Sequence, residues 1–217
     1  MSRFVLIALT AAGLFGLLLG GSQSSIAQRL EVSAGGGYAV PTNNVEAQTA
    51  AGTASLDIDL KPGPTAYAGI GFVRSLGDNF ALGARVRAQA ARLRTSVGAC
   101  EDGRCANPEG LLQAAALEGR IIVTAPDWIQ PYFVVGLGVV NASVEGRTVA
   151  AGGTTPRRRY EEISVTDAGG DVGFGASFPV VEGLFVDTEI RATGALPGGK
   201  ENAVTALPFT LGASYRF

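Results

Sequence analysis

The side chains able to do chemistry in this 217-residue sequence are carboxylates, guanidinium groups and one close pair of cysteines, and there is no histidine. Asp187 and Glu189 stand two residues apart, which places both on one face of an extended strand, where paired carboxylates can act as general acid and base. The competing reading is structural. Glu31, Arg85, Arg87, Glu118, Arg120, Asp171, Asp187, Glu189 and Arg191 all fall on the polar face of alternating segments, with both signs in similar number. Charges crowded into one enclosed interior are costly unless paired, so a ladder of salt bridges is the expectation for them.

Cys100 and Cys105 enclose Glu101-Asp102-Gly103-Arg104, a turn-forming stretch, and cysteines this close in an exported chain read as a disulfide stapling a loop. A zinc site would recruit further Cys or His, and the redox-active C-x-x-C spacing is absent. Asp57 and Asp59 leave only a weak calcium reading. The glycines between Gly169 and Gly175 precede no helix, so a phosphate-cradling loop is unsupported. No metal, cofactor or catalytic residue is expected. Arg157-Arg158-Arg159 offers guanidinium groups that can chelate phosphate bidentately, against the plainer reading of a solvated basic loop.

The elements that must position these groups begin after a leader. Arg3, the apolar run from Phe4 to Leu19, the polar stretch Gly21 to Ser24 and the small residues of Ser25-Ile26-Ala27 have the order of a secretory signal peptide. An uncleaved anchor is disfavoured, because the run is at the short end of the roughly 20 residues a spanning helix needs. No cysteine stands just after the run to become a new N-terminus, so lipid attachment is not expected either. The expected division is a signal peptide over 1–27 and one domain over 28–217. That domain has no second long apolar run although the hydrophobic fraction is 47%, which excludes a helical membrane protein. Lys+Arg at 17 against Asp+Glu at 19 gives a formal charge of −2 and no electrostatic footprint for nucleic acid.

Alternation then recurs in segment after segment. Phe80, Leu82, Ala84, Val86, Ala88 and Ala90 share one strand face, and Ala81, Gly83, Arg85, Arg87 and Gln89 share the other. Leu184 to Thr193 and Leu207 to Phe217 repeat the pattern. Eight strands are predicted: Leu30 to Val40, Leu56 to Leu76, Phe80 to Leu93, Leu111 to Thr124, Tyr132 to Val144, Ile163 to Phe178, Leu184 to Ala195 and Ala203 to Phe217. Soluble barrels alternate too, so the connections must decide. Gly77 to Asn79, Ala125 to Gln130 and Val180 to Gly183 are short, whereas Pro41 to Ala54, Thr95 to Gly110 and Glu145 to Tyr160 are long, as when turns face a periplasm and loops face outside. Phe72, Phe80, Trp128, Tyr132, Phe133, Phe178 and Phe185 gather beside the short turns like an interfacial girdle. The fold class expected is an all-β, antiparallel eight-stranded transmembrane barrel.

The terminal residues Thr210, Gly212, Tyr215 and Phe217 form a polar, small, aromatic and aromatic pattern. It resembles the C-terminal signal that the outer-membrane assembly machinery recognises. With the glycine-rich strands Gly35-Gly36-Gly37-Tyr38 and Tyr67-Ala68-Gly69-Ile70-Gly71-Phe72, the chain resembles the outer membrane protein A-like and opacity-type family of eight-stranded barrels. The resemblance implies an outer-membrane location and, as partners, outer-membrane lipids, lipopolysaccharide, the barrel assembly machinery and a host or cell-surface ligand. A peptidoglycan-gripping domain, present in larger members, is not expected. Small barrels of this kind include lipid-modifying enzymes that rely on a catalytic His. Its absence makes an enzyme unexpected here. Two functions remain: a structural, surface-interacting barrel, which is preferred, and a narrow passive pore for small solutes. Eight strands leave a lumen barely wide enough for side chains.

The leader reading is open to direct measurement. N-terminal sequencing of protein extracted from the envelope is expected to start at or near Gln28, and recovery of intact Met1 to Ala27 would refute it.

Overall fold

The computed structural model describes residues 28–48, 55–96, 109–149, 158–160, 162–196 and 203–217. Every regular element among them is a strand: β1 (Gln28–Pro41), β2 (Val45–Gln48), β3 (Ser55–Lys61), β4 (Gly63–Ser75), β5 (Phe80–Ser96), β6 (Glu109–Val123), β7 (Gln130–Val144), β8 (Arg147–Val149), β9 (Arg158–Tyr160), β10 (Ile163–Val181), β11 (Leu184–Ala195) and β12 (Thr205–Arg216). The main sheet is antiparallel and closes on itself, because β1 pairs with both β4 and β12. Eight staves make the wall, with β1 and β2 forming one, β3 and β4 forming the next, and β8 and β9 extending β7 and β10 beyond it.

The predicted strand from Leu56 to Leu76 is therefore interrupted. Pro62 has no N–H to give the ladder, and the pairing with β5 shifts by one residue between Lys61↔Arg94 and Thr65↔Ala91. Gly63 sits at this shift so close to Arg92 that a Cβ would meet the Arg92 carbonyl oxygen at 1.7 Å. The strand predicted to end at Phe178 instead runs to Val181 through a bulge between Pro179 and Val181.

Stepping from partner to partner around the wall shows its stagger. Glu31 pairs with Gly71, Gly71 with Arg85, Arg85 with Glu118, Glu118 with Gly136, and Gly136 with Asp171. Asp171 pairs with Thr193, Thr193 with Ala206, and Ala206 with Pro41, ten residues beyond the starting Glu31. A stagger of ten over eight strands corresponds to a tilt of about 40° and a backbone radius of about 8 Å.

Two of the short turns depend on glycine backbone. Gly77 and Gly183 have φ of 87° and 76°, the left-handed region that a side chain penalises. At the same end the seam is tied by Phe217 N donating to Leu30 O at 2.9 Å and Arg216 N to Gly183 O at 2.7 Å. At the other end Thr205 N donates to Asn43 Oδ1 at 2.9 Å, and Asn43 Nδ2 to Ala203 O at 2.8 Å.

The outer wall is apolar. Phe80, Leu137, Phe174 and Leu211 are 50, 64, 65 and 60% exposed, an arrangement that water would penalise and hydrocarbon favours. From Phe80 to Ala90 the apolar face of β5 spans about 25 Å along the barrel axis, the height of a membrane barrel's apolar band.

Inside, the lumen is divided. The loop half holds an apolar cluster of Ala39, Val45, Ile58, Leu60, Leu93, Leu112 and neighbours, and the turn half holds buried charges above a small cluster containing Val73, Ala81, Ile122 and Tyr132.

Tyr67 lies across the wall on a bed of glycines. A Cβ at Gly35 would meet its ring at 2.7 Å, and one at Gly212 would meet its hydroxyl at 2.3 Å and the Ala34 carbonyl oxygen at 2.5 Å. Gly212→Ala is thus expected to destabilise the barrel by about 1–3 kcal/mol through overpacking, read as a lower urea midpoint in lipid vesicles. An unchanged midpoint would remove the packing role assigned to Gly212.

Candidate functional site

Strand alternation brings the charged residues together. Because β5 turns Arg85 and Arg87 inward at successive inward positions, their guanidinium groups reach carboxylates carried by β6 and β11. Glu118 accepts from Arg85 Nε at 2.6 Å and from Arg191 Nη1 at 2.6 Å. Glu189 accepts from Arg85 Nη2 at 3.0 Å, Arg87 Nη1 at 2.7 Å, Arg191 Nε at 2.8 Å and the Tyr132 hydroxyl at 3.1 Å. Asp171 accepts from Arg191 Nη1 at 3.0 Å, and Arg87 Nη2 donates to Gln89 Oε1 at 3.1 Å. A second knot lies nearer the turns. There Glu31 accepts from Arg120 Nη2 at 2.5 Å and Arg216 Nε at 2.9 Å, while Arg216 Nη1 donates to Gln130 Oε1 at 2.7 Å.

All nine charged residues predicted for the interior are buried. Asp187 stands apart from the ion pairs among the described residues, and its partner is the Ser177 hydroxyl at 2.5 Å. Arg216 joins the nine as a tenth buried charge. The alternation of Leu207 to Phe217 already places it on the inward face, and it completes five guanidinium groups against five carboxylates in the described lumen. Equal numbers leave the enclosed space neutral, which limits the cost of removing these charges from water.

Two aromatics assigned to the girdle face inward instead. Tyr132 is buried and donates to Glu189, and Phe185 lies under the Arg216 guanidinium, 4.0 Å from ring centroid to Cζ. Both occupy the parity of the charged residues, so strand period overrides the attraction of rings to the interface. Tyr67 likewise stacks under Arg87, at 3.7 Å. Phe72, Phe80, Trp128 and Phe133 are exposed on the outside, and Phe178 is half-buried.

The C-terminal pattern splits between the two faces. Thr210 and Gly212 point inward, whereas Tyr215 and Phe217 point out and stack edge to face with centroids 4.8 Å apart. Cys100, Cys105 and Arg157 lie outside the described residues. Arg158 and Arg159 belong to β9, which with β8 continues the β7–β10 register as a hairpin above the apolar band. Asp59, of the weak calcium reading, is paired with Lys61, and no group of metal-ligating residues occurs among the described residues.

A closed eight-stave wall with an apolar exterior and a charged interior has few homes other than a bilayer. Residues 13–217 match the family model described as the outer membrane protein beta-barrel domain. The chain belongs to that family. No curated protein sequence matches this outer-membrane barrel significantly. Similar solved structures include a major outer membrane protein from Thermus thermophilus, 15% identical over 88% of this chain and 100% of that one, with a TM-score of 0.54. Neisserial surface protein A is 15% identical over 87% and 97%, with a TM-score of 0.52. The outer membrane protease OmpT from Escherichia coli is 10% identical over 91% and 99%, with a TM-score of 0.51. Identities this low carry the fold alone.

Removing one hub of the outer-membrane barrel's network should strand its partners. Glu118→Ala is expected to cost about 3–5 kcal/mol, because Arg85 and Arg191 lose a buried counter-charge, while the outward-facing Thr188→Ala stays within about 0.5 kcal/mol. Urea unfolding in lipid vesicles compares the two, and equal midpoints would contradict the network's role.

Proposed function

We propose that this outer-membrane barrel is a structural and surface-interaction protein that neither conducts nor catalyses, and that its long loops and the β8–β9 hairpin meet lipopolysaccharide or a host or cell surface. The observation that carries the reading is the double closure of the lumen. A neutral, interlocked ionic layer and an apolar layer follow one another along the axis, so a hydrated ion would have to break the first and dehydrate in the second. Asp187 and Glu189, the pair best spaced for acid/base work, are sealed within this plug and already held by Ser177 and by three arginines.

The same reading includes steps that lie outside this geometry: removal of residues 1–27 on export, a Cys100–Cys105 disulfide in an outer loop, and recognition of Tyr215 and Phe217 by the assembly machinery. Arg157, Arg158 and Arg159 on the third long loop are the proposed anion contact, since guanidinium groups suit phosphate or sulfate.

Planar bilayer recording separates this reading from a passive pore. Wild-type protein is expected to give rare, small openings, and Arg85→Ala with Arg87→Ala to raise leakage while destabilising the barrel. Steady ohmic conductance from unmutated protein would replace the proposal with a porin-like one.

A further inference from the structure

The membrane-facing wall is not uniform. On β4, β5, β6 and β7 it is hollowed into a trough of about 760 Å³, floored by Ala66, Ala68, Ala88, Ala90 and Ala115. These alanines oppose one another directly, Ala66 across from Ala90 and Ala68 across from Ala88, with Ala88 in turn across from Ala115. Ile70 and Leu137, on the same outward face, are 51 and 64% exposed and stand beside the hollow. The trough lies in the loop half of the band, which is the outer leaflet in the orientation that puts the long loops outside.

Its loop-side end is polar. Gln113 pairs across from Ala90 and from Asn141, and both amides line the hollow. The Asn141 amide is held by Thr166 Oγ1 at 2.8 Å. Gln113 makes no side-chain hydrogen bond among the described residues and is exposed on a wall that otherwise faces hydrocarbon, where an unmet amide is costly. Next along β5 come Arg92 and Arg94, both exposed and forming no ion pair among the described residues. Glu109 lies across from Arg94, and Lys61, already paired with Asp59, lies on its other side.

We propose that this trough is a binding site for one acyl chain of a phosphorylated outer-leaflet glycolipid, with Arg92 and Arg94 on its phosphate and Gln113 on the polar link at the root of the chain. Within a bilayer the apolar floor alone cannot select a lipid, since lipid tails are as apolar as the wall. Selection must come from the groups at the mouth. Guanidinium pairs there complement a compact phosphate, and the amide complements an ester or amide link. The site deepens the lipopolysaccharide contact proposed above and rests on that outer-membrane orientation, but not on closure of the lumen. Bilayer conductance does not report on it, so either can fail alone.

Native mass spectrometry of the detergent-purified, folded barrel tests it, with bis-phosphorylated lipid A, dephosphorylated lipid A and phosphatidylglycerol as probes. Wild-type protein is expected to retain one bis-phosphorylated lipid A about tenfold better than either other lipid. Arg92→Ala with Arg94→Ala, and separately the trough-filling Ala88→Leu with Ala90→Leu, should each lower retention about tenfold while the gel mobility of the folded form is kept. Equal retention of the dephosphorylated lipid or of phosphatidylglycerol by wild type would overturn the proposal. So would undiminished retention by the folded trough-filled variant, or loss of a dimer rather than of lipid in that variant.

Discussion

Charges sealed inside eight strands are tolerated when they are paired with an opposite or, like Asp187 with Ser177, hydrogen-bonded, and the architecture of this barrel follows from that requirement. Glu118 and Glu189 draw guanidinium groups from β5 and β11 into one cluster, and Glu31 joins β1, β6 and β12 in another. The bridges Arg85–Glu189, Arg87–Glu189, Arg191–Glu118 and Arg120–Glu31 cross the lumen between strands that are not neighbours, while Arg191–Glu189 runs along β11 and Arg85–Glu118 and Arg216–Glu31 join adjacent strands. The network therefore fixes how the staves face one another, while the backbone ladder fixes only their neighbours. Removing a single member is costly because its partners keep their charge and lose their compensation.

The exterior obeys the opposite solvent rule. Phe80, Val135, Leu137, Phe174 and Leu211 would be misplaced on a protein in water, yet they are the surface that hydrocarbon accepts. Inside and outside are thus exchanged relative to a soluble domain, except in the loop half of the lumen, where Leu60, Leu93 and Leu112 form an ordinary dry core. That core shields the ionic layer from the side where loops meet water, and it keeps the local dielectric low enough for the ion pairs to act strongly.

Closure also explains the distribution of small residues. A barrel of about 8 Å radius brings facing side chains together, so a ring as large as Tyr67 fits only where Gly35 and Gly212 leave room. On the outside the same economy of volume produces the alanine trough, where backbone and short side chains leave space that neighbouring Ile70 and Leu137 do not fill.

The period-two pattern by itself determined the class of fold, the number of staves and which face each charge occupies, because a strand gives its side chains no third direction. Arg85, Glu118 and Glu189 could be placed inside from parity alone, and Arg216 was equally legible in the alternation of the last strand. Which carboxylate meets which guanidinium was not, because partners such as Arg85 and Glu189 lie 104 residues apart and are matched only by the stagger of the closed wall. The β10–β11 register set Asp187 opposite Ser177, the partners Glu189 and Arg216 that Tyr132 and Phe185 meet inside were fixed only in the assembled structure, and closure made the loop half of the interior dry. Sequence specifies faces one strand at a time, whereas contacts across a lumen exist only once all eight strands have closed.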